Sequence, residues 1–458
     1  MEWNENKHRR FFNHPGRVIT ASFFLVILVG ALLLMMPFSS REGVFSPFIN
    51  CLFTATSATC VTGLVVYDTF TYWTPLGQGI ILALIQIGGL GLVTFTTFFN
   101  LAAGRKLGLR DMYLAQESGS LDSLADVNAL IRFVVQVSLI IELCGAVLLT
   151  FTFVPQFGLV HGASISVFLA ISAYCNAGFD IMGFQGPYIS LCRYADNPGV
   201  LLVILSLIVL GGIGFLVIYD IIKYRKRKTL TLHTRIVLIM TTLLIGIGFI
   251  SFSLLEWRNP MTLGALPVWQ RPINALFQSV TLRTAGFNSI DIPHLLAPTK
   301  FICCVLMFIG AAPGSTGGGI KLTTVAVLLM TVQSVIRGRD ETIILHRRVN
   351  SKSVYKAMAV FTIGIAMVGA CTAAIYFHLG RQFHNISGLD VLFDEVSAFA
   401  TVGLSAGVTA QADWLAKVLL VLSMFMGRVG PVSLALSLAL RDDVNKNEVI
   451  PDGKIMVG

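Results

Sequence analysis

Charge is what this chain has least of. Of its 458 residues only 12% are Asp, Glu, Lys or Arg, while 55% are hydrophobic, and the mean hydropathy is +0.77. Soluble domains carry about 25% charged residues, so the shortage excludes a soluble protein and leaves a polytopic membrane protein. Metal-binding patterns are missing too. The eight cysteines form no CxxC pair, Cys303 and Cys304 are adjacent rather than metal-spaced, and the eight histidines form no HxxxH pair. That excludes a zinc site and a disulfide framework, and the lack of any His/Asp/Glu/Cys cluster near an interface argues against a membrane enzyme. The first apolar run, 18–38, is too long for a signal-peptide h-region and ends without a small-x-small cleavage site, so it reads as a retained helix.

The net charge of +9 does not point to nucleic acid, because the cations are grouped between apolar runs: Arg105, Lys106 and Arg110; Lys223 to Lys228; Arg337, Arg339, Arg347, Arg348 and Lys352. The alternating loops hold single cations such as Arg41, Arg193 and Arg258. The positive-inside rule makes the basic face cytoplasmic.

A span needs about 20 apolar residues. Eight segments qualify: 18–38, 76–103, 130–153, 199–222, 232–255, 299–336 (interrupted), 354–378 and 414–440 (interrupted). Between the members of each pair lies a stretch of 12 to 15 apolar residues, at 46–58, 161–174, 268–282 and 388–399. These are too short to span and suit re-entrant half-helices. The expected fold is all-α and polytopic, with four span–half-helix–span repeats in a pseudo-fourfold arrangement around one pore. Its units are a cytoplasmic N-terminus (1–17), repeat 1 (18–103), repeat 2 (104–222, with a cytoplasmic linker 104–129), repeat 3 (223–336, with an intramembrane loop 311–321), repeat 4 (337–440, with a linker 337–353) and a cytoplasmic tail (441–458). Two full spans per unit make the repeats parallel, so both termini are expected in the cytoplasm and all four half-helices enter from outside.

The repeat is written in its turns. Gly63, Gly178, Gly286 and Gly403 recur at intervals of 115, 108 and 117 residues, each followed by Leu or Phe. In the first, second and fourth copies a Phe lies ten residues earlier (Phe53, Phe168, Phe393) and a Ser six earlier (Ser57, Ser172, Ser397). The third copy is one residue shorter. A re-entrant turn exposes backbone carbonyls at membrane depth, which is tolerable only where protein or a water-filled cavity satisfies them. Turned inward, those oxygens can replace the water shell of a cation, and the C-terminal end of each half-helix adds partial negative charge. The candidate ligands are the residues at each turn: Cys60, Val61, Thr62 and Gly63; Cys175, Asn176, Ala177 and Gly178; Thr284, Ala285 and Gly286; Thr401, Val402 and Gly403. None is acidic, so backbone oxygen would do the selecting, and a weakly hydrated monovalent cation suits it.

The span after each turn carries a glycine cluster, read chiefly as close helix packing. The third cluster runs on as Pro313-Gly314-Ser315-Thr316-Gly317-Gly318-Gly319-Ile320-Lys321, through which no helix continues. Ala311, Gly314, Ser315, Thr316, Gly317, Gly318, Gly319 and Lys321 are therefore gate candidates. A nucleotide loop is excluded there, because Ile precedes Lys321 and no Ser or Thr follows it directly. The fourth cluster carries Arg428, which would either pair with Asp394 or Glu395 or stand in the pore as an electrostatic barrier. Arg283 reads as a brace behind the third turn.

The motifs Thr59-Cys60-Val61-Thr62-Gly63-Leu64, Asn176-Ala177-Gly178-Phe179, Arg283-Thr284-Ala285-Gly286-Phe287-Asn288, Ala400-Thr401-Val402-Gly403-Leu404, Gly317-Gly318-Gly319-Ile320-Lys321 and Gly427-Arg428-Val429-Gly430-Pro431 resemble the Trk/Ktr/HKT superfamily of potassium transporters over nearly the whole chain. The first full repeat beginning at Val18 makes the chain most similar to the bacterial Ktr-type membrane subunit. The resemblance implies K+ uptake across the bacterial cytoplasmic membrane, K+ held by carbonyls just before each glycine, and a preference for K+ signalled by Gly63. It implies a homodimer in lipid with two pores, a gating loop over Ala311 to Lys321, a pore arginine at Arg428, and a cytosolic ring of nucleotide-binding regulatory subunits. No cofactor bound by this chain, no enzyme activity and no nucleic-acid partner are expected. Pro313 departs from the family pattern. The alternative is a symporter coupling K+ to Na+ or H+, for which Glu142 is the only acidic residue well inside a long span.

Overall fold

In this computed structural model the described residues are 15–91, 127–339, 341–380 and 386–430. The N-terminus, nearly all of the linker at 104–129, the C-terminal tail and the far ends of the spans at 76–103 and 414–440 lie outside them.

Each unit opens on a long apolar helix: α1 (Pro15–Met35), then, in later units, α5 (Val127–Phe157), α9 (Leu232–Leu255) and α13 (Ser351–Leu379). Among the described residues these four are long and apolar enough to cross a membrane. Their outer faces leave Leu25, Leu143, Phe151 and Leu254 exposed, which lipid satisfies as water would not. A half-helix follows each: α2 (Phe48–Thr59), α6 (Leu159–Tyr174), α10 (Arg271–Thr281) and α14 (Gly388–Phe399). The short helices α3 (Thr69–Tyr72) and α15 (Val408–Gln411) lie in the loops that join half-helix to second span in the first and fourth units. The second spans are α4 (Pro75–Leu90), α7 (Pro198–Gly212), α11 (Ala297–Phe308) and α16 (Trp414–Val429). Helix starts follow capping chemistry. The side chains of Thr74, Asn197, Thr231, Asn350, Ser387 and Asp413 each accept a bond from a backbone N–H of the first turn.

The half-helices hold the centre. Each packs on its own long helix and, in the first, second and fourth units, on its own second span, and each second span also packs on the next unit's half-helix: α4 on α6, α7 on α10, α11 on α14, and α16 back on α2.

The segment 199–222, expected as one unbroken span, is not one. After α7 the chain turns at Gly214 (φ +92°) into α8 (Phe215–Arg227), bent by 94°. The third unit causes the break, because the Phe215 N–H donates to Gly314 O and the Ala312 N–H to Gly212 O. The third unit's second span is interrupted as expected, α11 giving way to a loop and then α12 (Leu322–Ile336). Part of the linker at 337–353 forms a small hairpin, β1 (Ile343–Ile344) against β2 (Arg347–Arg348), where the other elements of the described residues are helical.

Candidate functional site

The four turns share a backbone, not a side-chain set. Three close by the same bond, in which an N–H one residue before the glycine donates to a carbonyl five residues back: Thr62 to Ser57 and Ala177 to Ser172 at 2.7 Å, Val402 to Ser397 at 2.8 Å. In the third turn the Ala285 N–H reaches only four residues back, to Thr281 O at 3.0 Å. The missing residue of the third copy is thus one residue less in the closing ring. The serines of the pattern have a use in two copies, where the Gly63 N–H donates to Ser57 Oγ and the Gly403 N–H to Ser397 Oγ.

Two residues before every glycine stands a non-glycine residue in the left-handed region: Val61, Asn176, Thr284 and Thr401, at φ +59°, +59°, +70° and +52°. Sequence reading had no signal for this strain, since only Asn favours that region. Each of the others costs about 1–2 kcal/mol.

Beyond those residues the turns meet. A Cβ added to Gly63 would lie 2.5 Å from Ala177 O, one on Gly178 would lie 2.8 Å from Ala285 O, one on Gly286 would lie 2.5 Å from Val402 O, and one on Gly403 would strike Thr62 O. Each glycine therefore abuts the carbonyl that precedes the next glycine, and the fourth abuts the first. No side chain fits at any of the four positions. Cys60, Val61, Thr62, Cys175, Asn176, Ala177, Thr284, Ala285, Thr401 and Val402 are all fully buried around this convergence. Among the described residues the buried hydroxyls of Thr59, Thr62, Thr284 and Thr401 have no hydrogen-bond partner. Thr59 was not among the sequence candidates.

On one side the four glycines floor a cavity of about 340 Å³. Asp180 and Asp291 stand in its wall with Tyr188 and Ser190. The outer loop of the second unit crosses this cavity and is pinned at both ends. The Tyr188 N–H donates to Asp68 of the first unit at 3.0 Å, and the Leu191 N–H to Asn288 O of the third at 3.0 Å. The fourth unit's outer loop is held by Asp394, which accepts from Ser405, Ala406 and Thr409.

On the other side lies the interrupted span. Thr316 Oγ1 donates to Tyr174 O at 3.2 Å, and the Gly319 N–H donates to Gly427 O at 3.2 Å. A Cβ on Gly317 or Gly318 would collide with the hydroxyls of Thr284 and Thr401. Thr316 to Gly319 thus lie directly against the turns. The hydrogen bonds of Ala311, Gly314 and Ser315 run elsewhere. Gly314 accepts from the break before α8, Ser315 Oγ donates to Ala312 O, and Ala311 bonds to Gly318 and Leu322 within the loop.

Three cations fasten this loop through carbonyls. Arg283 donates to Ile309 O and Gly310 O, both at 2.6 Å, which makes it the expected brace. Lys321 donates to Gly317 O at 2.7 Å. Arg428 donates to Thr316 O in the loop and to Gly88 O in α4. Of the two roles left open for Arg428, pairing with Asp394 or Glu395 is not made, because Asp394 is spent on the loop at Ser405 to Thr409 and Glu395 accepts from Ser423 Oγ at 2.5 Å. The glycine clusters are explained by approach: a Cβ on Gly88, Gly211 or Gly427 would come under 3.0 Å from the last half-helix carbonyl, that of Thr59, Tyr174 or Phe399.

Apolar helices around converging backbone turns define a multi-pass membrane protein of the kind that handles ions. The family model described as TrkH, cation transport protein, matches residues 2–448, and the chain belongs to that family, one of cation transporters rather than of enzymes. It is 39% identical over 444 residues to the Ktr system potassium uptake protein B of Bacillus subtilis, covering 97% of each chain. It is 36% identical over 447 residues to the potassium/sodium uptake protein NtpJ of Enterococcus hirae, again covering 97% of each. The solved structure of the potassium transporter TrkH from Vibrio parahaemolyticus has the same fold, with a TM-score of 0.70 at 16% identity over 93% of this chain and 84% of the other.

Proposed function

We propose that this chain takes up K+ across the bacterial cytoplasmic membrane through a channel-like pore. The carrying observation is the closed order of contacts in which each of Gly63, Gly178, Gly286 and Gly403 abuts the carbonyl before the next glycine. On this reading the four units surround one axis, and the oxygens of Thr62, Ala177, Ala285 and Val402 replace the ion's water. The unpartnered hydroxyls of Thr284 and Thr401 suit the same cargo, because a buried hydroxyl without a bond is costly unless an ion or water completes it. The Ala311–Lys321 loop, latched by Arg428, closes the path on the cytoplasmic side. The relatives named for potassium uptake support the choice of ion.

The rest of the assembly follows from the same reading: both termini in the cytoplasm, a homodimer in lipid, and a cytosolic nucleotide-binding ring on the basic face. One observation favours a second reading, Na+-coupled uptake: the Enterococcus hirae relative is named for sodium as well as potassium.

The test is growth and K+ uptake in a potassium-transport-deficient bacterium expressing the chain. The double variant Gly63→Asp, Gly286→Asp should lose uptake at least about tenfold, since it places two carboxylates among backbone ligands in a low-dielectric site. Equal uptake by wild type and variant would sink the proposal.

A further inference from the structure

Glu142 is the one acidic residue in the four long helices among the described residues. Its neighbours Leu139, Ile140 and Leu143 are more than half exposed, toward lipid, whereas Glu142 is 5% exposed and faces inward. No cation lies within ion-pair distance among the described residues. A carboxyl group in that setting is costly, and what it touches accounts for its presence.

Both of its oxygens accept from the Gln86 amide of α4, at 3.1 and 3.2 Å. The Cys175 thiol lies 3.8 Å from Glu142 Oε1 and 3.7 Å from Gln86 Oε1. Gly89, on the same helix as Gln86, leaves room for that thiol, because a Cβ there would sit 2.5 Å from Cys175 Sγ. One helical turn before Glu142, the Ser138 hydroxyl meets Tyr174 Oη at 3.1 Å. Residues four apart share a helix face, so α5 grips two consecutive residues, Tyr174 and Cys175, where the second half-helix passes into its turn. The neighbouring unit supplies the other jaw. On the opposite side Thr316 Oγ1 holds Tyr174 O.

We propose that Glu142, acting with Gln86 through the Cys175 thiol, is the positioning residue of the second turn and sets how strongly the pore prefers K+ over Na+. This rests on the reading of the four turns as the ion filter. A carbonyl ring discriminates by the spacing and stiffness of its oxygens, and the Cys175 backbone leads directly to the Ala177 carbonyl beside Gly63. A carboxylate can accept on both oxygens from one amide while also facing a thiol. A glutamine in its place presents an N–H to an N–H at one of those contacts, and an alanine lets the thiol go.

The full-length chain in liposomes, assayed for K+ and Na+ flux side by side, tests this. Glu142→Ala should lower the K+/Na+ flux ratio by about tenfold, the usual effect of removing a partner that orients a ligand. Glu142→Gln should lower it less. The exchange variant Gln86→Glu, Glu142→Gln restores a carboxylate facing an amide and should recover most of the wild-type ratio. A packing role alone would change thermal stability without changing the ratio or producing that recovery. Should Glu142→Ala fail to assemble, Cys175→Ala removes only the thiol and should lower the ratio in the same direction. A folded Glu142→Ala or Cys175→Ala with the wild-type ratio overturns the proposal, as does an exchange variant no better than Glu142→Gln. Wild-type liposomes without K+ preference would overturn the filter reading with it, whereas selective wild type and indifferent variants would overturn this inference alone.

Discussion

Thr401 sits where a filter would need it and where a folded protein gains least from it. Its hydroxyl is buried without a partner, and its backbone is left-handed at φ +52°. Thr401→Val keeps the shape and removes the unpaired hydroxyl. The thermal midpoint should therefore hold or rise, by up to about 1–3 kcal/mol of relieved burial cost, while the KM for K+ rises. A stable variant with unchanged KM would remove the hydroxyl from the ion path. Asp180 gives a pH test. It lies outside the spanning segments, half-buried in the cavity wall, facing the charges of Asp68 and Asp291, the Cys192 thiol and the Tyr188 loop. Burial pushes its carboxyl up to about 7, opposed by the bond from the Met182 N–H and reinforced by the charge of Asp68. A raised carboxylate is neutral below that value and negative above it. External K+ should thus bind better at alkaline than at acid pH, with KM rising roughly fivefold as the charge is lost, about 1 kcal/mol for a partly hydrated charge. Asp180→Asn should flatten that profile at its acid level. Both residues show where sequence reading stops. The glycines were legible because they recur, as do the Phe and Ser before three of them. The left-handed residues before the glycines were not, because Val61, Asn176, Thr284 and Thr401 share a backbone angle rather than a side chain. Nor was the cavity wall, which joins residues more than a hundred positions apart.

Glycine has two separable uses in the helices of this chain, and substitution tells them apart. Gly427 touches the fourth half-helix so closely that a Cβ would overlap Phe399 O, while Gly246 in α9 has nothing within 4 Å of its Cβ position. Gly246→Ala should stabilise the purified protein by about 0.4–1 kcal/mol through the entropy of the unfolded chain. Gly427→Ala should destabilise it by more than that and disturb the fourth turn, so that detergent melting curves move in opposite directions for the two. The helices themselves were legible from hydropathy and length, and the half-helices were found within three residues of their ends. The break between α7 and α8 was not, because its cause is tertiary: the loop of another unit takes the hydrogen bonds that a continuous helix would have used. That loop is also where the latch can be tested. Arg428→Gln removes the guanidinium that ties Thr316 to α4, and on the proposed reading it should raise K+ flux several-fold while leaving the K+/Na+ ratio in place. On that reading the turns, not the loop, set the ratio.

At the scale of the whole molecule, the proposed pore carries one polarity. On that reading parallel repeats send all four half-helices in from the same side, so their C-terminal ends, each with about half a negative charge, face the same point. Together with the four carbonyls they would favour one dehydrated cation, while Arg283, Lys321 and Arg428 donate to carbonyls of the interrupted span rather than to the ring. Such an arrangement would supply attraction and a barrier in series, as the proposed gated channel requires. Obligate coupling to a second ion would need another set of ligands of comparable strength. Among the described residues Glu142 is the one acidic residue in the four long helices, and no group of three or more His, Cys, Asp or Glu could hold a metal ion. Glu142 is already engaged with Gln86 and Cys175. Flux through the protein in liposomes should therefore follow the K+ gradient and the membrane voltage alone, reversing at the K+ equilibrium potential. Adding Na+ or a proton gradient at fixed K+ and voltage should change the rate without moving the reversal potential. A reversal potential that shifts with the Na+ or proton gradient would establish coupling, and the carboxylates of Glu142 and Glu395 would be the first groups to replace in locating it.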